Sequence, residues 1–589
     1  MEEETTTTGV TRTRATSVLV IGTGGAGLRA AIAATEAGAD VLVVGKRATS
    51  DAHTVLAAGG INAALGTRDP EDSWQQHLAD TLRDGYGLGD PRMVEILTTE
   101  APAAVLELAD WGCGFARTED GRLDQRFFGA HTWRRTCYAG DYTGRAIVRT
   151  LADRVAELGI DVLEGQHVSR LLVADGTCFG AYAFDLSSGQ RTVFLADAVV
   201  LATGGHTRIW RRSSSRRDEN YGEGMALALR AGCRLSDMEL VQFHPTGMLQ
   251  PEDVAGTLVT EAVRGEGGRL FNAAGERFME RYDPERLELS ARDRVALANY
   301  TEIMAGRGGP NGGVFLDVTH LGKEAILEKL PRMYRQFVEH QMLDISRERM
   351  EVAPTAHYSM GGVVVDPEST ATDVAGLFAA GEVAAGVHGA NRLGGNSLVE
   401  TVVFGRRAGE RAAALSAATD VALRPRAVIA EAVDELESAI RPGAELARPL
   451  QRAVRDLMWE TAGVVRDEAG LLWGLEGLRA IAEAAGTVDV RPSEEGWGDL
   501  GHLLDLRSAL VTGEATLRGA IERRESRGAH TRSDHPGSDP AMAVNLRVRR
   551  DPVTGQQGVT ADPVPPVRDE LRAWIEAGPV EVAGDRLLE

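Results

Sequence analysis

The sequence predicts an α/β protein with an interrupted nucleotide-binding domain, an inserted α+β unit, a helical domain and an extended C-terminal tail. Three observations support this prediction. A strand, a glycine turn, a helix and a second strand occupy residues 17–47, and related strand-and-glycine segments recur at residues 196–206 and 374–398. After about residue 420 the sequence becomes helical in composition. Because 589 residues exceed what one hydrophobic core usually serves, several domains are expected.

The first segment has the pattern of a dinucleotide-binding turn. Gly22, Gly24 and Gly27 form G-x-G-x-x-G directly after the apolar strand "SVLVIG" and at the start of a helix. These glycines permit a tight turn and let a pyrophosphate lie on the helix N-terminus. The second strand ends at Gly45 and Lys46 without the acidic residue that NAD-binding units place there, which favours FAD over NAD. The alternative is a tight turn that binds nothing.

The distribution of segments predicts six regions. Residues 1–15 are predicted to be a flexible N-terminus. Residues 16–255 and 355–420 are two blocks of one Rossmann-like FAD-binding domain, and residues 256–354 between them form a capping domain over the ligand. Residues 421–535 are predicted to be helical, because stretches such as "RAVIAEAVDELESAI" are amphipathic. Residues 536–589 are rich in turns and proline and are predicted to form an extended tail.

Composition excludes several classes of function. A formal net charge of −22 argues against nucleic-acid binding through a generally basic surface, so an anionic substrate would need a locally positive pocket. The four cysteines lack metal-ligand spacing, so no metal site is predicted and any iron–sulfur cluster is expected on another chain. No apolar run approaches the roughly 18 residues of a membrane span, so membrane association is expected only through a partner.

Nine ordered segments of the chain resemble the flavoprotein subunit of succinate dehydrogenase and fumarate reductase, over nearly its whole length. They are "GTGGAGLRAA", "HTVLAAGGINAALG", "MELVQFHPTG", "TEAVRGEGG", "GERFMERY", "LSARD", "PTAHYSMGGV", "VHGANRLGGNSL" and "RRESRGAH". The resemblance implies FAD as the cofactor and succinate or fumarate as the substrate. It also implies that the flavin takes a hydride from succinate.

The resemblance implies four ligands for the two carboxylates of the substrate. The matching positions are His244, Thr260, His357 and Arg392. Arginine suits a carboxylate because its planar fork donates two parallel hydrogen bonds, and histidine and threonine add directed donors. The alternatives are a core histidine with satisfied hydrogen bonds and an arginine in an ordinary ion pair.

The resemblance assigns proton transfer to Arg292 in "LSARD", with Glu261 and Arg264 as a relay toward solvent. A guanidinium holds its proton at almost any pH, so donation during fumarate reduction is the simpler direction. For succinate oxidation, nearby cations such as Arg264 and Arg392 would have to lower its proton affinity. The alternative is a structural ion pair.

The family's flavin-binding positions also carry over to this chain. They are Gly22, Gly24, Gly25, Gly27, Lys46, Thr54, Gly59, Gly60, Glu223, Glu382, Ser397 and Leu398. Three residues depart from the family pattern. Gly45 stands where relatives have a small hydroxyl residue, Glu223 stands where aspartate is usual, and Val263 replaces a frequent cysteine.

His53 in "SDAHTVLAAGG" matches the histidine that, in membrane-bound members of the family, is bonded to the 8α carbon of FAD. The resemblance therefore predicts covalent FAD attached through His53. The alternative is an ordinary turn histidine near the isoalloxazine ring.

The resemblance implies a succinate dehydrogenase flavoprotein that works with a quinone-binding membrane anchor and an iron–sulfur subunit, peripherally on the cytoplasmic side of the membrane. Quinol-fumarate reductase is the nearest alternative, because it shares these residues.

L-aspartate oxidase is a more distant alternative. It typically lacks the attachment histidine and has "ESRGLH" where this chain has "ESRGAH". A soluble fumarate reductase is disfavoured because no CxxCH segment is present. A flavin-binding protein with an inactive site would show gaps among the seven predicted active-site positions, and all are filled.

Two segments are candidates for docking the iron–sulfur partner. These are "RRESRGAHTRSDHP" and the proline-rich tail. The alternative is that both only pack against the FAD-binding domain of the same chain.

Overall fold

The computed structural model of the protein describes residues 11–419, 424–493 and 495–577. In the first block the strands are β1 (Arg12–Ile21), β2 (Val41–Val44), β3 (Ile61–Asn62), β4 (Gln125–Arg126), β5 (Thr136–Cys137), β6 (Asp161–Leu163), β7 (Gln166–Ala174), β8 (Thr177–Asp185), β9 (Arg191–Leu201), β10 (Leu235–Ser236) and β11 (Val241–Met248). The helices of this block are α1 (Gly25–Glu36), α2 (Trp74–Asp84), α3 (Pro91–Asp110), α4 (Thr143–Glu157) and α5 (Glu223–Ala231).

The inserted unit and the second block follow in chain order. The insertion contains α6 (Ala262–Gly265), β12 (Arg269–Phe271), α7 (Met279–Tyr282), α8 (Arg292–Glu302), β13 (Val314–Asp317), α9 (Lys323–Lys329), α10 (Pro331–Gln341) and β14 (Met350–Ser359). The second block contains β15 (Gly362–Val363), β16 (Leu377–Ala379) and α11 (Asn396–Ala418).

The described C-terminal part is mainly helical, and its last elements are a hairpin and a helix. Its elements are α12 (Arg426–Ser438), α13 (Ala447–Thr461), β17 (Val465–Arg466), α14 (Glu468–Ala485), α15 (Gly498–Glu522), β18 (Thr531–Arg532), β19 (Val544–Arg550), β20 (Gln557–Pro563) and α16 (Asp569–Glu576). The predicted α/β class, with an insertion and a helical domain, is therefore confirmed.

A seven-stranded sheet forms the centre of the nucleotide-binding domain. Its order is β6-β2-β1-β9-β8-β7, and β16 pairs with the C-terminal part of β9 beyond the end of β8. The strands β1, β2, β6, β9 and β16 run parallel, whereas β8 is antiparallel to both of its neighbours, β9 and β7. Since β16 comes from the second block, the sheet joins the two blocks into one domain.

Helices α1 and α11 pack closely on this sheet. A Cβ on Gly405 of α11 would lie 2.7 Å from the carbonyl oxygen of Ala26 in α1. Only glycine allows the two helix backbones to approach this far. The start of α11, which carries Ser397 and Leu398, is thereby held beside the glycine turn.

The N-terminus differs from its prediction. Residues 12–15 pair in parallel with residues 192–195 of β9, so a flexible segment extending to residue 15 is wrong for these residues. The first residues of β9 form the strand partner of residues 12–15, and nothing in the local sequence of residues 12–15 indicates that pairing. Residues 1–10 lie outside the described residues.

The sheet of the insertion begins earlier than residue 256. Its order is β11-β14-β13-β12, so β11 belongs to it, and β14 crosses the predicted boundary at residue 355. In this antiparallel pairing His244 lies opposite Thr355, and Phe243 lies opposite Ala356. Two motifs far apart in the sequence thus meet on neighbouring strands.

The segment "RRESRGAH" packs mainly inside its own chain. Arg523 is fully buried and donates from Nε to Glu239 Oε1 at 2.7 Å, and Glu525 and His530 are also fully buried. The tail hairpin β19–β20 extends the sheet β15-β10-β19-β20 through pairing with β10. Both observations match the self-packing alternative for these residues, while residues 578–589 lie outside the described part of the chain.

No helix among the described residues is both long enough and apolar enough to cross a bilayer.

Candidate active site

A single elongated cavity contains most of the predicted site residues. Its walls include the turns that follow β1, β2 and β9, the start of α11, and residues of the insertion. The carboxyl ends of parallel strands are where open α/β sheets bind ligands. All predicted site residues line this cavity except Gly27 and Arg264.

The glycine turn lies at one end of the cavity. Helix α1 begins after Gly24 with no acidic residue in its first turn, and the Gly25 N–H donates to Thr54 Oγ1 at 3.1 Å. The free N-terminal backbone groups and the helix dipole favour an anion here. Gly27 faces away from the cavity, where its missing Cβ leaves space for the carbonyl of Gly22. Its role is close packing of the turn.

Gly45 is explained by its neighbour Thr23. A Cβ on Gly45 would lie 2.5 Å from the Thr23 methyl carbon, so a side chain at 45 and a threonine at 23 exclude one another. Thr23 also donates from Oγ1 to the carbonyl oxygen of Arg47 at 3.1 Å. The departure from the family pattern at Gly45 thus follows from the threonine in the glycine turn.

Lys46 and Glu223, both predicted as cofactor residues, bind each other in this structure. Lys46 Nζ pairs with Glu223 Oε1 and lies 2.9 Å from Asp505 Oδ1 of α15. Asp505 also accepts from His167 Nε2 at 3.0 Å. Burial by itself lowers the pKa of Lys46, but the carboxylates of Asp505 and Glu223 outweigh it and raise that pKa. Sequence reasoning missed Asp505 and His167, because neither lies in a recognisable motif.

His53 lies in a 3₁₀ turn, His53–Leu56, on the cavity wall. Its Nδ1 is 2.9 Å from Glu219 Oε1. Burial by itself lowers the pKa of His53, but the charge and hydrogen bond of Glu219 raise it. Glu219 was missed in the sequence, since it lies in an irregular segment between β9 and α5.

The floor of the cavity near His53 is backbone and small residues. Gly60 has φ of +153°, and a Cβ on Gly59 would lie 2.8 Å from the Phe128 ring. Glu382 accepts from the Ser359 N–H at 3.0 Å, and burial raises the pKa of Glu382. The two glycines therefore let Phe128 and strand β5 pack close to the main chain.

The four predicted carboxylate ligands lie together at the other end of the cavity. The rings of His244 and His357 meet edge to face with centroids 5.3 Å apart. His357 Nδ1 is 2.9 Å from Ser214 Oγ, and Thr260 is 2 % exposed. Ser214 had no sequence signal, because it stands in the polar run "RRSSSRR".

Arg392 is held by two neighbours. Its guanidinium lies 4.2 Å from the centre of the Tyr358 ring, and Nη1 donates to Ser397 Oγ at 3.1 Å. Tyr358 in turn donates to Glu400, which is buried. The Arg392 Nε is buried without a hydrogen-bond partner among the described residues, so the side chain retains donor capacity.

The predicted proton-transfer residues are in contact. Arg292 Nε and Nη2 lie 2.7 and 2.6 Å from Glu261 Oε2, and Arg264 Nη2 lies 4.0 Å from the same oxygen. Arg292 Nη1 also donates to Gln242 Oε1 at 3.2 Å. Arg264 is buried behind Glu261 rather than on the cavity wall. The three side chains thus form a line from the cavity into the insertion.

The electrostatics of this end are dominated by cations. Burial by itself raises the pKa of Glu261, but Arg292 and Arg264 outweigh it and hold that pKa well below its usual range. Burial and the arginines lower the pKa values of His244 and His357, so both rings are neutral at pH 7. Burial and Arg292 lower the pKa of Arg392 to about 10. Among these residues three guanidinium groups face one carboxylate.

The residues present fit FAD. The glycine turn offers free backbone donors to a pyrophosphate, and Ala57, Ala58, Gly59 and Gly60 supply small residues to the wall of the same cavity. Thr203 Oγ1 is buried on the cavity wall without a hydrogen-bond partner among the described residues. The cavity is continuous from the turn to Arg292, as a dinucleotide and a substrate in contact with it require.

A second cleft lies at the edge of the insertion. It is lined by Tyr142, Arg145, Arg332, Arg335, Gln336, Glu339 and His340. Arg332 lines both this cleft and the elongated cavity. Its backbone N–H donates to Asp141 Oδ2 at 2.9 Å, which joins α10 to the segment before α4.

Two protein families match the chain. Residues 17–398 match the family described as FAD binding domain, and residues 451–564 match the family described as fumarate reductase flavoprotein C-term. The first match alone covers more than half of the chain.

Individual relatives match along most of their length. A CoM/CoB fumarate reductase subunit from Methanothermobacter marburgensis is 44% identical over 535 residues, covering 90% of this chain and 97% of that protein. The succinate dehydrogenase flavoprotein subunit of Rickettsia bellii is 38% identical over 545 residues, covering 88% and 90%. The structure of Mycobacterium smegmatis Sdh1 in complex with UQ1 is similar with a TM-score of 0.87 and 40% identity, covering 96% of this chain and 98% of that one.

Proposed function

The chain belongs to the family of succinate dehydrogenase and fumarate reductase flavoprotein subunits, and from that premise we propose that it oxidises succinate to fumarate. In this proposal FAD is attached covalently through His53. An iron–sulfur subunit carries the electrons to a membrane anchor that binds quinone, and the chain lies peripherally on the cytoplasmic side of the membrane.

One observation supports the proposal most directly: the contact of Arg292 with Glu261 beside four candidate carboxylate ligands. Arg264, Arg292 and Arg392 outnumber Glu261, the carboxylate that Arg292 contacts, and with His244 and His357 neutral they give this end a positive excess. A C4 dicarboxylate carries two negative charges. The pocket therefore complements such a dianion although the whole chain is strongly acidic.

In the proposed binding mode Arg392 donates to one carboxylate and the histidines and Thr260 donate to the other. Arg392 has an unsatisfied buried N–H, so a bound carboxylate would remove the cost of leaving that donor unpaired. His357 donates from the nitrogen that does not face Ser214. The bound dianion would exclude water from the buried guanidinium groups.

Arg292 is proposed to move the proton at the substrate carbon. In fumarate reduction its guanidinium donates the proton and regains one that is relayed through Glu261, whose Oε2 lies 2.6 Å from Arg292 Nη2. In succinate oxidation the proton passes in reverse, from the carbon to Arg292 and then toward Glu261 and Arg264. When bound, FAD supplies the two-electron acceptor that takes the hydride.

Fumarate reduction is the second candidate function. It is favoured by the 44% identical relative, which is named as a fumarate reductase subunit. The same residues serve both directions, so the direction in the cell depends on the partner that accepts or donates electrons.

The proposal is tested with the purified complex containing this chain and bound FAD. We expect succinate, but not L-aspartate, to reduce an artificial acceptor, and we expect succinate:quinone turnover to exceed quinol:fumarate turnover. Faster quinol:fumarate turnover would favour the second candidate. Turnover of L-aspartate without turnover of succinate would contradict both.

A further inference from the structure

The hydrogen bond between His53 and Glu219 is the feature of the cavity that neither the substrate chemistry nor the family motifs explain. Glu219 is only 5 % exposed, and its Oε1 lies 2.9 Å from His53 Nδ1. No protein atom within the described residues forms a hydrogen bond with His53 Nε2, and the ring lines the cavity. One ring nitrogen is therefore held by the protein and the other is left for the ligand.

His53 is the main charged partner of Glu219, because the nearby arginines pair with another carboxylate. Arg47 and Arg216 lie nearby, but both pair with Asp51, and Arg47 Nε is 3.7 Å from Glu219 Oε2. The Arg216 backbone N–H donates to Glu219 Oε1 at 2.7 Å and fixes the carboxylate in its turn. Burial by itself raises the pKa of Glu219, but His53 and these donors lower it to about 2. The carboxylate is thus ionised at neutral pH.

An ionised carboxylate can only accept hydrogen bonds, so the proton of a neutral His53 lies on Nδ1. In this neutral form Nε2 carries the lone pair; because burial is outweighed by Glu219, which raises the pKa of His53, a proton on Nε2 must leave before the ring can react. This is the arrangement in which a carboxylate orients a histidine and stabilises the imidazolium that forms when the other nitrogen reacts.

We propose that Glu219 is a positioning residue for His53: its carboxylate holds the Nδ1–H, presents the Nε2 lone pair to the cofactor, and stabilises the cation formed on attachment. This inference rests on the covalent FAD of the proposed function and adds to it the residue that promotes the bond.

Covalent attachment of FAD to His53 replaces one C–H bond of the flavin by a C–N bond and reduces the flavin by two electrons. A C–H bond of the flavin 8-methyl group breaks and its hydrogen leaves as a proton, and a bond from Nε2 to that carbon forms. The two electrons of the broken bond enter the flavin ring, which takes up a proton and becomes reduced. The imidazole becomes an imidazolium that keeps its Nδ1–H toward Glu219. Fumarate or dioxygen then accepts the two electrons and returns the flavin to its oxidised form.

The test measures covalent and total flavin separately in the full chain expressed with its partners. Covalent flavin is the fluorescence that remains with acid-precipitated protein, and total flavin is measured before precipitation. Glu219→Gln keeps the shape and an acceptor oxygen but removes the charge. We expect its rate of attachment to fall about 10- to 100-fold, as the loss of a charged hydrogen bond implies, while total bound FAD is unchanged.

Two further variants separate positioning from a structural role. Glu219→Asp keeps the charge and should recover part of the attachment rate. Asp218→Asn removes the neighbouring charge, which is about half exposed, and should attach FAD at the wild-type rate.

Several results would overturn the proposal. These are attachment in Glu219→Gln at the wild-type rate, an equal slowing in Asp218→Asn, or loss of total FAD in parallel with covalent FAD in both Glu219 variants. Wild-type protein without any covalent flavin would overturn the attachment itself. If that protein still oxidised succinate at an undiminished rate, the proposed reaction would stand and only the covalent attachment and the role of Glu219 would be wrong.

Discussion

The two ends of the elongated cavity treat their charged residues in opposite ways. At the glycine-turn end, Lys46 is paired with Glu223 and Asp505, and Asp505 is also bonded to His167. At the other end, which holds the predicted carboxylate ligands, Arg292 and Arg264 share the carboxylate of Glu261, and Arg264 has two buried nitrogens without hydrogen-bond partners among the described residues. At the first end the carboxylates outnumber the one lysine, whereas the second end keeps a positive excess.

This difference in charge pairing indicates a structural role for the first end and an anion-binding role for the second. Charges that satisfy one another join parts of the fold, and Asp505 does so by fixing α15 of the helical domain to the turn after β2. Charges left in excess in a buried cavity raise the energy of the protein alone and are stabilised by an anion. We therefore expect mutations at the first end to act mainly on stability and mutations at the second to act mainly on turnover.

The largest expected effect is at Arg292. Arg292→Ala removes the proposed proton donor and should lower kcat for succinate oxidation and for fumarate reduction by about 10²- to 10⁴-fold, with bound FAD retained. The measurement is steady-state turnover in both directions with flavin content determined on the same sample. Arg347→Ala, an exposed arginine of the insertion, serves as control. Turnover within a few-fold of wild type would contradict the assignment.

The next effect is on stability, at Asp505. Asp505→Asn leaves Lys46 with one carboxylate and should lower the free energy of unfolding by about 1–3 kcal/mol, with kcat at low temperature unchanged. Thermal unfolding compares it with Asp499→Asn, an exposed change on the same helix. If Asp505→Asn lowered kcat without lowering Tm, the proposal that mutations at this end act mainly on stability would be wrong.

The Asp505 comparison also has a pH signature. Burial by itself raises the pKa of Asp505, but Lys46 and His167 lower it to about 2. A carboxyl group with a depressed folded-state pKa stabilises the protein above its unfolded pKa of about 4, and the contribution is lost as pH falls toward about 2. The difference in Tm between wild type and Asp505→Asn should therefore be constant above about pH 5 and shrink below about pH 4.

The smallest effect is expected outside the cavity. The cleft with Arg145, Arg332 and Arg335 adjoins the elongated cavity through Arg332, which lines both, so it extends positive charge from the cavity to the surface. Replacing Arg145 and Arg335 by glutamine should lower kcat/KM for succinate a few-fold at low ionic strength and leave kcat unchanged. The difference should disappear at about 1 M salt, where exposed charges are screened. Arg149→Gln, also exposed on α4, is the matched control.

Local sequence patterns were sufficient for the class of fold and for much of the cavity wall. Glycines 22, 24 and 27 define a strand-to-helix turn by spacing alone, because the steric demand on each is local. The segments around His244, Arg292, His357 and Arg392 also indicated a shared site. Their chemical roles stay predictions, since proximity does not measure function.

The residues that sequence reasoning missed have no local signal. Glu219, Ser214 and Asp505 stand in an irregular turn, a polar run and an amphipathic helix, and each looks like an ordinary solvated residue there. The strand pairing of residues 12–15 was also missed, because its partner lies about 180 residues away in β9.

By itself, the sequence determined the α/β class, the family, and the set of residue types available for a dicarboxylate and a flavin. Only the tertiary structure decided which charges are paired and which are left for a ligand. The physical reason is that a side chain's charge state and orientation depend on burial and on neighbours within a few ångströms. Those neighbours, such as Glu219 for His53 and Asp505 for Lys46, come from chain segments that only folding brings together.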